Sequence, residues 1–283
     1  MTYRQMLQDL QKRFKEAGIE EYDTDAWLLL SAACGMDRGR YILDQLQEMP
    51  EEKRSLLEGY AEKRIKRIPL QHILGEQEFF GLPFMVNENV LIPRQDTEIL
   101  VETALEELQE GYRILDLCTG SGCILISLLH EAREKGLKVF GLGLDLSEKA
   151  IEVAKKNAEI NHVLDCSKWF LSDMFENAEG TFDMICSNPP YIPSADIENL
   201  APEVKDHDPR MALDGDEDGL KFYRILAKES GAYLKKDGKL FLEIGFDQAA
   251  AVSKFLEENG FIQIKVAKDL AGLDRLVYAV YGG

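Results

Sequence analysis

Residues 112–136 read YRILDLCTGSGCILISLLHEAREKG, and the rhythm of the chain changes twice inside them. The apolar run YRILDLC is as long as a sheet-crossing strand and too short for an ordinary helix. Gly120 and Gly122 then break the run just before ILISLLHEAREKG, whose apolar residues recur at helical spacing. Glycines at such a turn let the backbone approach a ligand closely, and the helix N-terminus behind them adds hydrogen-bond donors.

The same alternation continues outward. KVFGLGLDL, KWFLSD, FDMICSN and GKLFLEIG read as strands, separated by helical stretches such as SEKAIEVAKKNAEINH and GLKFYRILAKESGAYLKKDG. This predicts βαβ units and a mostly parallel sheet covered by helices on both faces. GFIQIKVAKDL and DRLVYAVYGG add two strands with little between them, an antiparallel pairing at one end of the sheet.

Upstream, residues 1–74 are expected to form a small helical domain. In DTDAWLLLSAACG, Asp23 or Thr24 can cap a helix and Gly35 can end it, and PEEKRSLLEGYAEKRIKRI opens another at Pro50. Residues 75–92 read as a β-hairpin linker and 93–283 as an α/β domain.

Composition narrows the classes of function. With 33 basic against 51 acidic residues the chain carries a formal charge of −18, which disfavours stable nucleic-acid binding through the phosphate backbone. No apolar run approaches the roughly 18 residues a membrane span needs, and charges interrupt MTYRQMLQDLQKRFKEAG throughout. A soluble, cytoplasmic monomer is expected. The five cysteines read as buried thiols, and Cys118 and Cys123 lack the partners of a metal site, so no metal is expected.

Ligands of open α/β sheets sit at the carboxyl ends of the strands. Asp116 precedes the glycine turn, and Asp145, 23 residues after Gly122, can accept hydrogen bonds from ribose hydroxyls. Leu125 stands where a dinucleotide fingerprint would have its third glycine, which argues against that class. The third such end is DMICSNPPYIP, residues 183–193. Pro189 and Pro190 stiffen the loop and have no N–H, so Asn188 and the local carbonyls offer acceptors with few donors to quench them.

A glycine turn, an acid after the second strand and Asn-Pro-Pro-Tyr after the fourth together resemble the Rossmann-like S-adenosylmethionine-dependent methyltransferases that act on planar amino or amide nitrogens. The order of parts, with LIPRQDTE and a final DLAGLDRLV, is similar over essentially the whole chain to the PrmC/HemK family. That resemblance implies methyl transfer to the glutamine amide of the Gly-Gly-Gln motif in class 1 peptide chain release factors. It places Cys118, Thr119, Gly120, Ser121, Gly122, Asp145, Met174 and Asn188 around S-adenosylmethionine, and Asn188, Pro189, Pro190 and Tyr191 around the glutamine. Asn188, Pro189 and Tyr191 would carry the catalysis.

The chemistry has a physical rationale. An amide nitrogen is a poor nucleophile because its lone pair is delocalised; if the Asn188 oxygen and the Pro189 carbonyl each accept one N–H, the lone-pair lobe is held facing the sulfonium methyl. Tyr191 can stack on the flat group. Two residues depart from the family pattern: Cys118 replaces a common glycine, and Met174 a common aromatic. Arg94 can reach the site or pair with Asp96 or Glu98, while His72 and His207 are expected to pack or face solvent. Glu243 is read as closing a strand end, and the basic run Lys63, Arg64, Lys66 and Arg67 as complementing a helix dipole or binding a partner. The rival enzyme reading is an adenine-N6 nucleic-acid methyltransferase, and the non-enzymatic rival an adaptor that merely retains the fold.

Overall fold

The computed structural model describes residues 1–283. They form two compact units, Met1–Gly75 with Ala201–His207, and Glu76–Leu200 with Asp208–Gly283.

The first unit contains α1 (Tyr3–Glu16), α2 (Tyr22–Cys34), α3 (Arg38–Asp44), α4 (Glu51–Ile65), α5 (Leu70–Leu74) and the later α9 (Pro202–Lys205). A capping box starts α1, with Thr2 and Gln5 satisfying each other's backbone N–H groups. Helix α2 differs from expectation at its start. It begins at Tyr22, so Asp23 lies in its first turn, where an acid suits the helix dipole, and neither it nor Thr24 caps; Gly35 ends it at φ +59°. Met6, Leu10, Phe14, Leu29, Leu30 and Leu57 are fully buried between these helices. Two of the four basic residues at the end of α4 have internal partners: Arg64 binds Asp25 at 2.6 Å and Glu203 at 3.0 Å, and Arg67 reaches Glu203 at 2.9 Å. Ala201–His207, expected with the rest of 93–283, clusters with the helical unit, where Glu203 gathers these two arginines.

In the second unit, β1 (Glu76–Phe79) and β2 (Leu82–Met85) form a hairpin, turned by Phe80 and Gly81 at positive φ. After α6 (Glu98–Glu106) the chain alternates through β3 (Arg113–Leu117), α7 (Cys123–Glu134), β4 (Phe140–Asp145), α8 (Glu148–Ile160), β5 (Ser167–Leu171) and β6 (Phe182–Ser187). It ends with α10 (Lys221–Tyr233), β7 (Leu234–Glu243), α11 (Ala249–Glu258), β8 (Phe261–Lys268) and β9 (Asp274–Tyr281). The sheet order is β5-β4-β3-β6-β7-β9-β8, and only the pairings of β9 are antiparallel.

Strand alternation builds a core on each face. Ile114, Met184 and Phe241 pack with α6, α7 and α8 on one side; Leu115, Ile185 and Leu240 pack with α10 and α11 on the other. The stretch expected to be helical through residue 238 leaves the helix at Tyr233. Leu234 pairs with Phe182, the register slips, and Lys239 pairs with Met184, so sheet pairing overrides the helical character of AYLKK.

Candidate active site

The order of strands reverses direction of growth between β3 and β6, the switch point where an open α/β sheet has its crevice. A cleft of about 980 Å³, its open mouth included, lies over these strand ends, a size that suits a small ligand. Cys118, Thr119, Gly120, Ser121, Asp145, Met174, Asn188 and Pro190 line it. Gly122, Pro189 and Tyr191 are not among the lining residues: Gly122 starts α7, Pro189 is buried, and Tyr191 is half-buried against the second core.

One lip of the cleft is shaped by backbone. Gly120 donates its N–H to Asp145 Oδ2 at 2.8 Å, and Ser147 donates to Oδ1 at 2.8 Å, so the carboxylate is clamped with lone pairs to spare. Gly122 has φ +83°, and a Cβ there would meet Ile126 at 2.9 Å and Trp169 at 3.0 Å, so both conformation and space require glycine. Cys118 holds φ +56°, a left-handed conformation that explains why glycine suits this place; Met174 is also left-handed, at φ +46°. Beneath the turn, Asp116 is fully buried, its Oδ2 accepts a hydrogen bond from the Thr119 hydroxyl, and its Oδ1 has no partner. Burial pushes the Asp116 carboxyl up to about 7, against the pull of Thr119. Burial also raises Asp145, and the N–H groups of Ser147 and Gly120 oppose it.

The other lip is held by side chains from distant segments. Asn188 Nδ2 donates to Thr97 Oγ1 at 3.3 Å, leaving Oδ1 with no donor from the protein. Gln248 fastens the loop beyond: its Nε2 donates to the carbonyls of Tyr191 (2.9 Å) and Gly219 (3.3 Å), and its Oε1 accepts from Gly245 N–H at 2.9 Å. Glu243 is fully enclosed at the end of β7, 2% exposed, and burial pushes its carboxyl up to about 7 while Thr97, Arg275 and Asn188 favour its charged form. Arg94 lines the cleft, but its ion pair is with the enclosed Asp208, at 2.7 Å; Asp96 is drawn to Arg275 and Glu98 accepts the Phe80 N–H.

Sequence reasoning missed Thr97 and Gln248 and undervalued Glu243. The available signal was a lone acid inside the apolar run KLFLEIG, where an unpaired charge has no reason to stand. No group of three or more His, Cys, Asp or Glu side chains is arranged to hold a metal ion.

Known proteins share both the sequence and the fold. Residues 5–75 match the PrmC N-terminal domain, and residues 94–203 the methyltransferase small domain. The release factor glutamine methyltransferase of Geobacter sulfurreducens is 41% identical over 278 residues, covering 98% of this chain and 95% of its own. The chain belongs to the release factor glutamine methyltransferase family. The family member from Caulobacter vibrioides is 40% identical and covers 95% of the chain and 92% of itself. The fold of this family is seen again in a methyltransferase from Pyrococcus furiosus, with a TM-score of 0.50 at 21% identity over 72% of this chain and 91% of that one. No helix is long and apolar enough to cross a membrane.

Proposed function

We propose that the protein binds S-adenosylmethionine in the cleft and transfers its methyl group to the side-chain amide of the Gly-Gly-Gln glutamine in class 1 peptide chain release factors. The observation that carries this reading is the Asn188 amide, whose nitrogen is spent on Thr97 and whose oxygen is left open as an acceptor beside the cleft. When bound, S-adenosylmethionine supplies an activated methyl on a sulfonium centre. Asp145, clamped by two backbone N–H groups, is positioned to receive ribose hydroxyls, and the turn from Cys118 to Gly122 bounds the same space. Asn188 Oδ1 and the Pro189 carbonyl accept hydrogen bonds from the two N–H groups of the glutamine amide, which aims its nitrogen and favours the pyramidal transition state; the N–C bond forms as the sulfonium S–C bond breaks, and one amide proton then leaves to water. Tyr191 closes the flat face.

An adenine amino group presents similar donors, but the relatives are named for release factor glutamine, and the charge of −18 disfavours a nucleic-acid substrate. The helical unit carries no chemical motif, yet Ile42, Leu43 and Leu46 stand 65%, 77% and 73% exposed there, and they suit a grip on the release factor away from its glutamine. The test is tritiated methyl transfer to an intact class 1 release factor, to a short Gly-Gly-Gln peptide and to single- and double-stranded DNA. Label on the factor's glutamine supports the reading; label on DNA alone refutes it.

A further inference from the structure

An asparagine can turn either its oxygen or its NH2 group toward a neighbour, since the two ends are nearly the same size. The chemistry proposed for Asn188 needs the oxygen in the cleft. Its nitrogen donates to Thr97 Oγ1 at 3.3 Å, but a hydroxyl both donates and accepts, so Thr97 alone would serve a flipped asparagine equally well. The orientation is decided by where the Thr97 proton goes. Thr97 is 2% exposed, and Glu243 ends β7 one residue past Leu242, the register partner of the Ser187 that precedes Asn188; Thr97 and Asn188 both favour the charged form of its carboxyl. An ionised carboxylate only accepts.

We infer that Glu243 is a positioning residue for Asn188: its carboxylate accepts the hydrogen bond of the Thr97 hydroxyl, so Thr97 must accept from Asn188 Nδ2 and Oδ1 is left for the substrate amide. This rests on the reading of Asn188 given under the proposed function. Glu243 Oε2, buried without a hydrogen-bond partner, keeps further acceptor capacity on the same side chain. Protonated Glu243 can donate, which removes the constraint on Thr97 and lets the asparagine turn. The groups facing Glu243 are Arg275 from β9, which favours its charge, Asp96 from the turn before α6, which opposes it, and Tyr191, Tyr223 and Cys123, whose protons burial holds far above neutrality. Glu243 is therefore the member of this cluster that titrates near 7, and the rate should rise with pH through that value.

The experiment is single-turnover methyl transfer to an intact release factor at saturating S-adenosylmethionine, from pH 6 to 9. Glu243→Gln keeps the shape without the charge; it should lower the rate about tenfold at pH 8 and abolish the rise through pH 7, with cofactor affinity unchanged. Thr97→Val should lose a similar factor, Thr97→Ser should recover most of it, and the double variant Glu243→Gln/Thr97→Val should be no worse than either single one. A wild-type rate and pH profile in Glu243→Gln overturns the inference, and so do losses that multiply in the double variant. If Glu243→Gln does not fold, the Thr97 pair decides, and a wild-type rate in Thr97→Val is the overturning result. Asn188→Ala is the reference: a full rate there sinks the reading of Asn188 itself, whereas a slow Asn188→Ala beside fast Glu243 and Thr97 variants sinks only the role of Glu243.

Discussion

The two lips of the cleft are built by different means. The turn from Cys118 to Gly122 and Asp145 is shaped by backbone: positive φ at Gly120 and Gly122, and N–H groups that clamp a carboxylate. The Asn-Pro-Pro-Tyr loop owes its shape to side chains that arrive from far along the chain, Thr97 91 residues away from Asn188 and Gln248 57 residues away from Tyr191. The first lip can hold a ligand as soon as its own segment folds, whereas the second is correct only when the whole sheet is assembled. Affinity should therefore live on the backbone lip and rate on the side-chain lip.

The largest effect expected is on the side-chain lip. Asn188→Ala should cut kcat by roughly 10²-fold or more, the scale of losing a preorganised polar group, while S-adenosylmethionine affinity moves less than about threefold. Calorimetry beside single-turnover kinetics checks both halves, and a matching loss of affinity would dissolve the distinction between the lips. Asp145→Ala should do the reverse, weakening cofactor binding by about 1.5–3 kcal/mol with a smaller change in rate at saturation. Next comes Gln248→Leu, which removes the donor to the Tyr191 carbonyl and the acceptor of the Gly245 N–H; a fall in kcat of about tenfold at constant cofactor affinity is expected, and a purely thermal defect with normal kinetics would show the fastening to be structural.

How much of this was legible in the sequence follows from the same contrast. The glycine turn, Asp145 and the prolines act through local geometry, which residue type dictates within a few positions, so the mostly parallel sheet and the backbone lip could be read directly, whereas the strand order that sets the switch point could not. Thr97 in RQDTE and Gln248 in GFDQA look like ordinary surface residues until the strands bring them together. Arg94 does line the cleft, but its ion-pair partner was illegible for the same reason, since Asp208 lies 114 residues away and both nearby acids were taken by other groups. The overlong helix into LKKDG failed because propensity is local and the pairing of Leu234 with Phe182 is not.

The smallest effect expected is on stability. Asp116, and likewise Glu243, has a folded-state pKa of about 7, above its unfolded value, so the folded state binds the proton more tightly. Their contribution is complete below about pH 4 and is lost as pH rises through 7. The thermal midpoint should therefore fall by a few degrees between pH 5 and 8, and Asp116→Asn should flatten that slope. A midpoint that rises over this interval would mean these carboxyls are charged in the folded protein.

Glu203 ties the helical unit to the order of synthesis. Arg64, one of its two partners, is made 139 residues earlier. At ordinary elongation rates of about 5–20 residues per second, the helical unit waits on the order of ten seconds for its last acidic partner. During that interval Arg64 has only Asp25 and the Ile68 carbonyl, and Arg67 only backbone carbonyls, as partners within the unit. A nascent chain stalled before Ala201 should thus expose the end of α4 to proteases that the finished protein resists.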